Sequence, residues 1–231
     1  MLQTELYRVA QSQGTDERWG MVQTLKASDV TLGDLVDRFG LTSTSDPQFF
    51  QEWQAASVDV EIADVQRLDR VKSNFQYLIQ KPPFLESAVQ LVVISPLLEL
   101  AGFYQPPFRI QTEAEVAISS VDPENETLIR GKLDILIVAK GLWVVVIESK
   151  MNDFSLTKAL PQTLSYMLAN PQPHGFGLIT NGSEFVFLKL KQQEIPTYSL
   201  SRVFSTLAPG NELVDVLRIL KHLGQLVTAA T

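Results

Sequence analysis

Asp134, Glu148 and Lys150 put charge where their neighbours are apolar. Asp134 interrupts the run Leu133-Asp134-Ile135-Leu136-Ile137-Val138, and Glu148 and Lys150 close the run Leu142-Trp143-Val144-Val145-Val146-Ile147-Glu148-Ser149-Lys150. Both runs are nearly continuous in apolar, β-branched residues, as in strands covered on both faces at the centre of an α/β sheet. An unpaired buried charge is costly, so such a strand keeps one only beside a partner, a metal or water.

Ala139-Lys140-Gly141 between the runs reads as the short loop of a β-hairpin. In register about that loop, Asp134 lies beside Glu148 and Lys150. Side chains alternate along a strand, so Glu148 and Lys150 share a face, about 6–7 Å apart. Two carboxylates and an amine at one sheet edge suit hydrolysis of a phosphodiester. The carboxylates hold Mg²⁺, Mn²⁺ or a similar hard cation, and the lysine positions the nucleophile. The plainer account of the same residues is an internal ion-pair cluster at a strand end.

The flanking elements follow from periodicity and punctuation. Trp19 to Leu25 could form a strand. Thr31-Leu32-Gly33-Asp34 resembles a capping box opening a helix over 32–39, stopped by Gly40; Thr42 to Asp46 reads as a loop. Phe49, Phe50 and Trp53 anchor the N-terminal segment on the core or stack on a base. Apolar residues from Ile62 through Val65, Leu68, Val71, Phe75 and Leu78 predict an amphipathic helix, ended by Lys81-Pro82-Pro83. A second helix runs from Leu85, is interrupted at Pro96 and closes at Gly102. Glu86 in its first turn suits the helix macrodipole. Strands are expected over 112–119, 175–180 and 184–191, the last two joined by Asn181-Gly182. A turn is expected at Asp122-Pro123-Glu124-Asn125. Residues 154–169 read as a helix capped by Ser155 and containing Pro161. Leu213, Leu217, Leu220 and Leu223 share one face of a final helix.

This order, helix, three strands, helix, two strands, with Asp134 and then Glu148-Ser149-Lys150, resembles the PD-(D/E)XK nuclease superfamily. The wording RGKLDILI…LWVVVIESK…PQTLSYM…GLITNG is most similar to the N-terminal nuclease domain of type I restriction R subunits. The resemblance spans roughly Leu85 to Leu190. It implies a restriction-endonuclease-like α/β core (α-β-β-β-α-β) with a mixed central sheet flanked by helices, plus helical N- and C-terminal extensions. Asp134 matches the metal-binding aspartate, with Leu133 in place of the proline that names the motif. Glu148, Ser149 and Lys150 match the (D/E)XK tripeptide, whose middle residue lends a backbone carbonyl to the metal. Glu86 matches the helical glutamate before the first strand, and Gln162 and Tyr166 match the QxxxY element of RecB-like members. The implied catalytic set is Asp134, Glu148, Lys150, Glu86 and Gln162, and the implied metal set is Asp134, Glu148, Ser149 and Glu86. Residues 1–80 are expected to form a mostly helical extension packed on a core spanning 81–231.

Composition sets the outer limits. A chain of 231 residues, 45% hydrophobic and 19% charged, suits a globular protein with a sizeable core. Cysteine is absent, which excludes disulfides and thiolate chemistry, and two histidines do not make a histidine-rich zinc site. No apolar run reaches membrane-spanning length and the N-terminus has no basic-then-apolar signal pattern, so a cytoplasmic protein without a membrane partner is expected. No GxxxxGK[ST] loop is present, so no ATP is expected. Residues 1–127 carry 9 basic and 19 acidic side chains and residues 128–231 carry 10 and 7, a net of −10 against +3. DNA is therefore expected to rely on local cations, namely Arg130, Lys132 and Lys158 with Tyr166, and further along Lys189 and Lys191. A double-strand cutter with one such site has to pair, so a homodimer is expected. The competing reading is a catalytically silent nucleic-acid-binding or assembly module that keeps the nuclease fold.

Overall fold

The computed structural model describes residues 4–6, 21–54, 58–81, 85–120, 127–140, 142–149 and 156–229. The chain opens with β1 (Thr4–Leu6) and β2 (Met21–Lys26), and a 3-10 turn follows at Ala27–Asp29. The expected capping box starts α1 (Leu32–Phe39): the Asp34 amide donates to Thr31 Oγ1 at 3.1 Å, and the Thr31 amide donates to Asp34 Oδ2 at 3.0 Å. Gly40 ends the helix at φ 66°, a conformation glycine adopts without steric cost. Next come β3 (Thr42–Ser43) and α2 (Ile62–Leu78).

α3 (Glu86–Val89) passes through a π turn at Gln90–Ile94 into α4 (Ser95–Leu100) without leaving right-handed helical backbone. Pro96 explains the wide turn. It has no N–H to donate, its ring crowds the carbonyl four residues back, and the Ser95 amide reaches instead to Gln90 O.

β4 (Phe108–Ser119), β5 (Thr127–Ala139), β6 (Leu142–Ser149), α5 (Leu156–Leu168), β7 (His174–Thr180), β8 (Glu184–Lys191), β9 (Thr197–Leu200), β10 (Phe204–Ser205) and α6 (Leu213–Ala229) complete the chain. The expected turn at 122–125 and the Ser155 cap lie outside the described residues.

One mixed sheet runs β1-β2-β5-β6-β7-β8-β9-β3, with β4 on β5 and β10 on β8. β2–β5, β6–β7 and β3–β9 are parallel and the other pairs antiparallel. Helices cover both faces of the sheet's centre. α2, the π turn, α4 and α6 enclose one core with Ile135, Ile137, Val145, Ile147 and Phe187, and α1 and α5 enclose the other with Ile129, Leu133, Leu136 and Val146. The fold is thus α/β with a mixed central sheet flanked by helices. Burial from Val144 to Ser149 explains why β6 is apolar without alternation. Phe50 and the leucine face of α6 lie in the first core, with Phe49 and Trp53 packed against it.

The N-terminal segment differs from a mostly helical extension, because its β1, β2 and β3 are part of the sheet. These strands are short and gain their stability from non-local pairing, which local periodicity does not report.

β5 has an unusual edge. β4 pairs with it from Phe108↔Ala139 to Ser119↔Leu128. On the other side β6 pairs with Ile135 to Ala139 and β2 with Thr127 to Arg130, so Gly131 to Asp134 face a fork between two strands. The ribbon also changes allegiance here: Ile129 and Leu133 join the α5 core, whereas Ile135 and Ile137 join the opposite one. Across from Asp134 in register, Glu113 of β4 takes φ 52°, the backbone irregularity that lets the ribbon turn over. No helix among the described residues is long and apolar enough to cross a membrane.

Candidate active site at a fork in the sheet

The fork collects side chains from four elements. Ser149 at the end of β6 is fully buried and donates its amide to Asp134 Oδ2 at 2.7 Å. Its hydroxyl lies 3.1 Å from the same oxygen and 3.2 Å from Glu86 Oε1, and it accepts from Gln90 Nε2 at 2.7 Å. With Gln90 as donor, the single Ser149 hydroxyl proton is shared between two carboxylates. Glu148, opposite Asp134 in the hairpin register, is fully buried.

Why these groups meet is local. β6 is apolar up to its last two residues, so its polar atoms emerge only where the strand leaves the core. Glu86 and Gln90 are four apart, hence on one face, and α3 points that face at the strand end.

α5 closes the fork from the other layer. Tyr166 is 2% exposed, its hydroxyl donates to Lys132 O at 2.9 Å, and it accepts from Gln162 Nε2 at 3.0 Å. The phenol thereby satisfies a β5 carbonyl at the level where the fork leaves the strand edge open. Burial pushes its pKa up to about 12, and the charges of Glu148 and Asp134 push the same way against the Gln162 bond. The phenol therefore stays protonated and stays a donor. Gly131 makes room for it: a Cβ there would stand 2.6 Å from the Tyr166 hydroxyl and 2.6 Å from Ala27 Cβ.

Asp134, Ser149, Glu86, Gln162 and Tyr166 thus lie around one fork, with Glu148 beside them. Lys150 lies outside the described residues. Tyr166 is not on the surface as a nucleic-acid contact; its ring is buried and its hydroxyl is occupied by Lys132 O. Arg130, Lys132 and Lys158 are exposed, and Lys132 Nζ is 4.0 Å from Glu113. Lys189 and Lys191 are misplaced for such a role. They pair in register with Phe176 and His174 on β7, whereas the fork adjoins Thr180, roughly 13–20 Å away along the strand. Lys189 is also buried and paired with Glu52. Gln90 was not singled out in the sequence, although its place one helical turn after Glu86 marks it.

Among the described residues, no group of three Asp, Glu or His side chains is arranged to hold a metal ion. The donor set is nevertheless of the hard type. Asp134 and Glu86 converge on one hydroxyl, and Mg²⁺ is ordinarily held by one or two carboxylates with water completing its shell.

No curated protein sequence matches the chain. Among solved structures, one described as a fragment of a type I restriction enzyme HsdR subunit from Vibrio vulnificus YJ016 aligns with 16% identity and a TM-score of 0.38, over 59% of this chain and 26% of that one. The chain therefore spans about a quarter of that structure's length. A second, of the protein SSO0001, aligns with 15% identity and a TM-score of 0.26, over 76% of this chain and 82% of that one. Residues 52–194, which carry every residue of the fork except those supplied by the N-terminal segment, match the family described as the type I restriction enzyme R protein N terminus, and the chain belongs to that family.

Proposed function

We propose that the chain is a metal-dependent nuclease domain that hydrolyses phosphodiester bonds, with DNA as substrate. The observation that carries this reading is the convergence of Asp134 from β5 and Glu86 from α3 on the Ser149 hydroxyl at the end of β6. Asp134 and Glu86, with Glu148 and the Ser149 carbonyl, are the residues that would hold Mg²⁺ or Mn²⁺. A bound cation would lower the pKa of water and offset phosphate charge. The Ser149 amide and hydroxyl fix the Asp134 carboxylate, and Gln90 fixes that hydroxyl. Tyr166 holds the β5 carbonyl beside Asp134, and Gln162 orients the Tyr166 hydroxyl. Lys150, by its place in the tripeptide, orients the attacking water and offsets charge on the phosphorane.

The alternative is a catalytically silent nucleic-acid-binding or assembly module, favoured by the net −10 of residues 1–127. Plasmid, single-stranded DNA and RNA incubated with Mg²⁺ or Mn²⁺ separate the two. Cleavage that falls on the order of 10²-fold or more in Asp134→Asn and Lys150→Ala supports the nuclease. Cleavage equal in wild type and both variants, or absent throughout, leaves the silent module.

A further inference from the structure

From the fork towards β2, the sheet keeps one open face. Leu25, Ile129, Leu133, Ala114 and Val116 turn inward to the α5 core, so the alternate residues of β2, β5 and β4 turn the other way. Lys26, Arg130 and Lys132 are exposed on that outer side. Parallel pairing sets Lys26 directly beside Arg130, and Lys132 follows two residues on, roughly 7 Å along β5. Two residues further lies Asp134. On the β4 side the outer face carries Glu115, opposite Lys132 in register, and Glu113, whose carboxylate is 4.0 Å from Lys132 Nζ.

The charges therefore lie in two rows, cationic on β2 and β5 and anionic on β4. A polyanion laid on this face is drawn to the first row and repelled by the second, which leaves a lane about two strands, roughly 10 Å, wide. That width takes a single phosphate backbone. We infer that Lys26, Arg130 and Lys132 form a track for one nucleic-acid strand leading to Asp134, and that Glu113 and Glu115 are its bank. The inference rests on the nucleic-acid reading above and adds the path and the strand. It also gives a role to β2, which lies outside the residues matched by the family.

The test is binding of a fluorescent oligothymidylate to the full chain without divalent metal, followed against salt. Three contacts at about 0.7 each give a slope of log affinity against log salt near −2. Lys26→Ala and Arg130→Ala should each lower affinity several-fold and remove about 0.7 from the slope. Glu115→Lys should raise affinity and steepen the slope by a similar amount, a gain that misfolding cannot imitate. Lys191→Ala, at the other end of the sheet, should change neither. Wild type that fails to bind, or binds with Lys26→Ala and Glu115→Lys both without effect, overturns the track. So does a dimer that dissociates in Lys26→Ala, which would give the face to a second copy of the chain. Cleavage with unaffected lane variants sinks the track and spares the nuclease; binding through the lane without cleavage does the reverse.

Discussion

The two ends of the central strands bury charge in opposite ways. At the His174 end of β7, the Lys189 ammonium meets the Glu52 carboxylate and lies 5.9 Å from the ring centroids of both Phe49 and Phe176. That end is electrically complete, with a cation, an anion and two aromatic faces. At the Thr180 end, Asp134 is held by neutral donors, the Ser149 amide and hydroxyl, and Glu86 shares the second of these. Neutral donors solvate a carboxylate without cancelling its charge. The first arrangement spends its electrostatics on structure. Among the described residues the second sets no cation against Asp134, which leaves its charge directed at the fork, as the proposed cation site requires.

Breaking the complete end should have the largest effect. Lys189→Met leaves Glu52 charged and mostly buried, and should cost about 3–5 kcal/mol in urea unfolding. Adding Glu52→Met should restore most of that loss, and neither change should alter the response to metal. Asp134→Asn should behave in the opposite sense. In metal-free buffer it removes one of two convergent charges, so stability is held or raised. Wild type should gain about 2.7 kcal/mol when Mn²⁺ is at about 100 times its Kd, and the variant should not. Equal metal-induced shifts in thermal unfolding would end the contrast between the two ends.

A smaller effect sharpens the role of the α5 side. Gly131→Ala drives a methyl against Tyr166 and Ala27 and should cost about 1–3 kcal/mol, partly relieved when Tyr166→Phe removes the hydroxyl. The smallest effect is a titration. The Tyr166 pKa in the folded chain, about 12, stands above its ordinary 10.0. Its contribution to stability is therefore complete below about pH 10 and is lost as pH rises through about 12. Absorbance titration should show one late-ionising phenol that Tyr166→Phe abolishes.

Much of the fork was legible because it is built from local rules. A short hairpin loop fixes the register that brings Asp134 to the end of β6, and four-residue spacing puts Glu86 and Gln90 on the helix face that meets it. Four-residue spacing put Gln162 and Tyr166 on one face of α5, but spacing does not say whether that face is wet. Tyr166 is buried because Gly131 and the fork admit its ring, and both depend on pairings distant in sequence. Lys189 and Lys191 looked available because a charge count carries no direction; the parallel pairing of β6 with β7 sends them to the far end. β2 was legible as a strand near Trp19 to Leu25, but its place beside β5 was not, since about a hundred residues separate Lys26 from Arg130.

The turning over of the β4–β5 ribbon at Asp134 has a consequence for how the molecule opens. Leu133 is anchored in one core and Ile135 in the other, so a single strand belongs to two cooperative units. Amides of Ile129 to Leu133 should exchange with solvent at the pace of the α5 layer, and those of Ile135 to Ala139, whose side chains alternate between the two cores, should exchange more slowly. Asp134 sits at the seam. Loosening either unit alone would leave the carboxylate tethered by the other, so the fork can yield on one side and still return to register.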